Sequence, residues 1–154
     1  MAARFRFRLE SLLRVRRALE DEAKRNLARL IAARDKALAR LADLREAHRR
    51  TVEERRTGVR QVVDLDLWRA TERWILVLER RIVQQAQEVK AAEARVAEGR
   101  QAFVKAHRDH LILVRLKERR QAQHDQEVLQ AELKDLDELA MLRHAYARTT
   151  PSVA

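Results

Sequence analysis

The stretch WILVLERRIVQQAQEVKAAEARVAEGRQAFVKAHRDHLILVRL, residues 74–116, decides the fold. Apolar or small residues recur in it as Ile75, Leu78, Ile82, Val89, Ala92, Val96, Gly99, Phe103, Ala106 and Leu113, with Gln85 and His110 filling the two gaps. The steps alternate between three and four, a mean of about 3.5, which is the period of a left-handed coiled coil. Arg, Lys, Glu and Gln crowd the positions between. A helix with so narrow an apolar stripe needs a partner helix along its length.

Composition points the same way. Of 154 residues 38% are charged, and two glycines and one proline leave little material for turns. Aromatic residues, at 4%, are too few for a thick core, so long helices in one elongated unit are expected. Without cysteine there is no disulfide framework and no thiolate zinc site, which fits a cytoplasmic protein. No uncharged run approaches the ~20 residues of a membrane span. The opening, MAARFRFRLESLLRVRR, is Arg-rich and amphipathic like a mitochondrial presequence, but Glu10 and Glu20 interrupt it and it reads as mature helix.

A net charge of +10 favours acidic partners: nucleic acid, an anionic membrane surface or an acidic protein cavity. Over most of the chain Arg and Glu alternate as on a solvated helical face. The N-terminus differs, because Arg4, Arg6, Arg8, Arg14, Arg16 and Arg17 outnumber Glu10 and Glu20 there.

Taken in order, helix 1 is expected over about 5–56, with a stripe of Leu12, Val15, Leu19, Ala23, Leu27, Leu30, Ala37, Leu41, Leu44, His48 and Val52. The fourfold steps from Val15 to Leu27 read as a stutter that unwinds the supercoil locally. Arg34 falls on the seam, its stem packing while its guanidinium reaches water. Gly58 is expected to end the helix in the left-handed conformation, followed by a connector over about 57–65. Asp64 or Asp66 then caps helix 2. The apolar Val62, Val63, Leu65, Leu67 and Trp68 suggest that this connector packs on the helices.

Helix 2 is expected over about 66–146, ~120 Å at 1.5 Å per residue against ~75 Å for helix 1. A short connector makes the two antiparallel. The expected fold is therefore all-α: one long antiparallel two-helix coiled coil over 1–148, with an overhanging C-terminal helix and a mobile tail at 149–154. If the chain turns near Gln61, everything beyond Leu116 overhangs. There the stripe Leu129, Leu133, Leu136 and Ala140 calls for another protein. Gly99, on the seam, is either a hinge or a place of close helix–helix approach.

The sequence offers no catalytic, cofactor-binding or metal-binding residues. His107 and His110 are three apart, a spacing that can bind a metal, but Lys105 and Arg108 flank them and only Asp109 supplies a carboxylate. They read as ordinary seam and surface histidines. No phosphate loop, nucleophile elbow or paired-carboxylate constellation is present. Nucleic-acid binding has the charge in its favour; the interspersed acids and the lack of a recognised module weigh against it, and no specific nucleic acid is expected.

Both ends resemble the FliJ family of flagellar export proteins. Phe5-Arg6-Phe7-Arg8-Leu9-Glu10-Ser11-Leu12-Leu13-Arg14 resembles the family's amphipathic opening. Glu132-Leu133-Lys134-Asp135-Leu136-Asp137-Glu138-Leu139-Ala140 resembles its C-terminal signature. The resemblance implies a non-enzymatic stalk component of the flagellar type III export apparatus. Its implied partners are the hexameric export ATPase, the cytoplasmic domain of the export gate and export chaperones, with peripheral association at the membrane. The equivalent stalk protein of a virulence injectisome shares this architecture.

For the gate, the resemblance implies the strip Trp74, Leu78, Arg81 and Gln85, at i, i+4, i+7 and i+11. Arg81 there replaces a small residue of the family pattern and Gln85 a different polar one. For the ATPase ring it implies the open end, with Arg4, Arg6, Arg8, Lys134, Asp137, Glu138 and Arg143.

Overall fold

The computed structural model describes residues 3–58 and 64–150. They form two α-helices, α1 (Glu10–Gly58, 49 residues) and α2 (Leu65–Thr149, 85 residues), with no strand among the described residues. The chain is an all-α, two-helix coiled coil. It divides into two compact units, Ala18–His107 and the remainder up to Arg17 and from Arg108 onward.

In the first unit the helices run antiparallel, as the cross-links between them show. As the α2 partner advances through Glu72, Glu79 and His107, its α1 counterpart retreats through Arg55, His48 and Glu20. The seam residues Ile75, Leu78, Val89, Ala92 and Val96 are buried against α1, as is Leu41 from the other side. Leu78 is 1% exposed and anchors this core. Gln85 fills its seam position at 6% exposure because its amide donates to the Ala37 carbonyl at 3.0 Å. A buried polar group satisfied in this way favours one register over its neighbours.

Gly99 marks a close approach rather than a hinge. A Cβ there would lie 2.8 Å from Leu30 Cδ1 and 3.9 Å from the Leu27 Cα. A larger side chain here would have to displace the Leu30 tip, so a glycine suits the approach of α1 while α2 stays helical through the site.

Helix starts and stops follow local chemistry. Asp64, not Asp66, caps α2: its Oδ1 accepts from the amides of Asp66 (3.0 Å) and Leu67 (3.4 Å). The Thr149 hydroxyl donates to the carbonyls of Ala145 and Tyr146 at the other end. Gly58 belongs to the last turn of α1, and no glycine has a positive φ, so the expected left-handed cap is not formed there. Leu65, Leu67 and Trp68 lie in the first turn of α2 and are exposed, not packed as a connector. Val62, Val63, the turn near Gln61 and the tail from Pro151 lie outside the described residues.

The α1 seam differs from the expected stripe at its start. Leu12, Val15 and Leu19 are exposed, and half-buried Leu9, Leu13, Arg16 and Glu20 take the inward positions. These four continue the three–four alternation into Ala23, Leu27 and Leu30, so no stutter interrupts it. Arg16 and Glu20 tolerate the seam because each has a partner on α2: Asp109 at 3.4 Å and His107 at 2.9 Å, respectively. Exposed leucines had drawn the pattern one step off its true phase.

Candidate functional site: a free helix end and an exposed tryptophan

In the second unit α1 begins at Glu10, five residues later than its sequence pattern suggests. Residues 3–7 carry no regular structure and run into a turn at Arg8–Leu9. Phe5, Phe7 and Leu9 are half-buried while Arg4, Arg6 and Arg8 are exposed, the period-two alternation of an extended chain. The Phe5 ring tilts against His124 of α2 with centroids 5.6 Å apart. The Glu10 amide donates to the Phe7 carbonyl at 3.2 Å, and Lys117 holds Glu10 at 2.9 Å. This strap chooses extension over helix because two phenylalanines reach α2 only in that form.

The strap alters where the free part of α2 begins. Half-buried residues continue along α2 through Leu116, Gln121, His124 and Val128, so the overhang starts near Leu129 and not at Leu116. From there to Thr150 every residue is exposed. Leu129, Leu133, Leu136, Leu139, Met141, Leu142 and Tyr146 are between 53% and 73% exposed.

At 3.6 residues per turn, the Leu129–Leu133–Leu136–Ala140 line is rotated by roughly a quarter to a third of a turn from Gln121, His124 and Val128. A longer α1 or strap would not cover it. The apolar line belongs to some other surface. Lys134, Asp137, Glu138 and Arg143 are exposed on the same free end, and Arg4, Arg6 and Arg8 are exposed on the strap beside α2.

The first unit places the other sequence-derived strip differently from one continuous surface. Trp74 is 44% exposed, and the Arg81 guanidinium sits 5.3 Å from its ring centroid, a cation–π pair that keeps the indole on the outer side. Leu78 and Gln85 turn inward into the seam. Thus Trp74 and Arg81 stand together on an accessible face of α2. Periodicity alone shows that Leu78 and Gln85 are seam residues; it does not reveal the Trp74–Arg81 pair.

Two histidines, His48 and His107, act as helix-to-helix pairing groups. His48 contacts Glu79 at 3.3 Å, and His107 contacts Glu20 at 2.9 Å while stacking on Phe103 with centroids 5.9 Å apart. No helix among the described residues is long and apolar enough to cross a membrane.

The geometry is that of a chain which presents surfaces to partners. Comparison with known proteins is in keeping with it. No curated protein and no solved structure matches the chain. A family model, described as flagellar FliJ protein, matches residues 5–149 and so covers both helices and the strap. The chain belongs to the FliJ family, whose members are structural stalk components of flagellar type III protein export.

Proposed function

We propose that this protein is the non-enzymatic stalk that enters the pore of the hexameric export ATPase with its free end and promotes assembly of the ring. The observation that carries this is the exposed stretch from Leu129 to Thr150, helical yet without any intramolecular cover. Most helical stability in proteins comes from tertiary packing, which this stretch lacks. Its leucine line, turned away from the strap-bearing face, gains stability when a partner covers it.

Charge adds direction to the reading. Along the free end Lys134 and Arg143 flank the acidic Asp137 and Glu138, and Arg4, Arg6 and Arg8 are cationic on the strap. A ring of subunits has several surfaces to meet them. Hydrolysis stays in the partner, since this chain supplies no catalytic group to it.

The Trp74–Arg81 face is the export-gate contact in this reading. Leu78 and Gln85 support it from beneath by holding α2 on α1, rather than touching the gate. The same protein helps cycle export chaperones, and it meets the membrane only peripherally through the apparatus.

The test is a truncation that ends at Ala131. Lacking Glu132 onward, the protein should keep its helical signal and melting behaviour, because that segment buries nothing. It should lose stimulation of the ATPase. Undiminished stimulation by the folded, truncated protein would refute the assignment.

A further inference from the structure

The geometry points to a second docking surface: the strap at Arg4–Leu9 takes an extended acidic segment of a partner protein as an added strand. It shares the strap arginines with the ring-pore reading but not its test, since the truncation at Ala131 leaves the strap whole.

Three observations carry it. First, Arg4 and Arg6 are exposed on the segment 3–7, whose burial alternates with the period of an extended chain, and alternate residues of such a chain share one face about 7 Å apart; Arg8 is exposed on the turn that follows. Among the described residues no carboxylate pairs with any of the three. Carboxylates at every second position of another extended chain have the same spacing, so a paired strand would match Arg4 and Arg6 one to one and reach Arg8 at its end.

Second, the strap's backbone is free to pair. Among the described residues its only backbone hydrogen bonds are those accepted by Phe7 from Glu10 and by Leu9 from Leu13. Backbone groups of Arg4 and Arg6 share one edge of the segment 3–7, and no strand among the described residues neighbours that edge. Strand addition to an open edge draws its affinity from such main-chain groups and its specificity from alternate side chains.

Third, there is room. A groove of about 610 Å³ runs between the strap, from Phe5 to Leu9, and α2 at Leu116, Arg120, Gln123 and His124. Glu127 alone among its lining residues is acidic. Side chains on the inward face of an added strand would enter this groove while the outward carboxylates meet the arginines.

The same observations disfavour the other polyanions. Single-stranded nucleic acid binds through aromatic rings on which bases stack, and bilayers hold amphipathic segments through inserted apolar side chains. Here the Phe5 ring packs on His124 of α2 and Phe7 is half-buried, so neither ring is freely presented to either. Three arginines in single file, at about 1 kcal/mol each near an anionic surface, make a weak membrane contact.

The test uses the full-length protein and a fluorescently labelled peptide of alternating Glu and Val, followed by anisotropy at low salt. Binding should be saturable, and Arg4→Gln/Arg6→Gln/Arg8→Gln should weaken it at least tenfold while circular dichroism stays unchanged. The same peptide N-methylated at every amide keeps its charge but cannot donate to the strap along either edge; it should bind at least tenfold more weakly. Phosphatidylglycerol vesicles and a single-stranded oligonucleotide should bind more weakly than the peptide. Equal binding by the triple variant, equal binding of the N-methylated peptide, or tighter binding of vesicle or oligonucleotide would each overturn the proposal.

Discussion

Two stretches of α2 use apolar residues in opposite ways. Between Ile75 and Val96 they recur at three and four and are buried against α1. Between Leu129 and Tyr146 they are as large and as frequent, yet stay exposed. The difference lies in what faces them, not in helix propensity. One stretch owes its stability to packing within the chain; the other leaves an exposed apolar surface of the kind that marks interaction sites.

The largest expected effect separates the two directly. Leu78→Ala removes a side chain that is 1% exposed and leaves a cavity in the seam, which should cost about 3 kcal/mol. Leu136→Ala, on the free end, should change thermal stability by less than about 0.5 kcal/mol, in line with other exposed substitutions. It should nevertheless reduce ATPase stimulation. Similar losses of stability in both variants, read from thermal unfolding by circular dichroism, would erase the contrast.

The Trp74 face extends the contrast into the first unit. Trp74→Ala should weaken gate binding by about 2 kcal/mol, the cost of truncating an interface anchor, while helicity and ATPase stimulation persist. Calorimetric titration with the gate's cytoplasmic domain checks it. Normal affinity, or loss of the helical fold, would return Trp74 to the scaffold.

Gly99 sharpens the account of the seam. Gly99→Ala gains about 1 kcal/mol in helix propensity. Its new methyl meets Leu30 Cδ1, the movable tip of a flexible side chain, so the two effects should offset to within about 1 kcal/mol. Gly99→Leu has no such escape, because the Leu27 backbone is 3.9 Å from the Cβ position, and should cost about 1–3 kcal/mol. A Gly99→Leu protein as stable as the wild type would mean that the helices do not approach closely there.

The smallest effect is electrostatic. Hydrogen bonds from Arg49 and then Arg50 lower the Glu46 carboxyl from 4.5 to about 2. A depressed carboxylate adds stability above its ordinary pKa and loses it as pH falls toward the folded value. The stability gap between wild type and Glu46→Gln should therefore shrink between pH 4.5 and about 2, and salt should reduce it at neutral pH. This pair lies on the solvent face of α1, so the gap should be small even where it is largest. A gap that widens with acid would contradict the sign.

Much of this was legible beforehand where packing and periodicity agree. The α2 seam from Ile75 to Leu113, including polar Gln85, follows from spacing alone. The start of α1 does not. Exposed Leu12, Val15 and Leu19 look more like a seam than Arg16 and Glu20, whose inward placement depends on Asp109 and His107, far away in sequence. The strap was hidden for a related reason: RFRFRL suits an amphipathic helix on composition, and only the surface offered by α2 near His124 selects the extended form. Likewise, the seam pattern exposes the fates of Leu78 and Gln85, whereas the Trp74–Arg81 pairing needs three-dimensional geometry.

Backbone hydrogen exchange with and without the hexameric ATPase tests the central contrast most directly. In the protein alone, amides from Ile75 to Val96 should be strongly protected and those from Ala131 to Arg148 should exchange quickly, as befits a helix without packing. Adding the ATPase should slow exchange in the second stretch and leave the first unchanged. Strong protection of residues 131–148 in the protein alone, or none gained with the ATPase, would contradict the account.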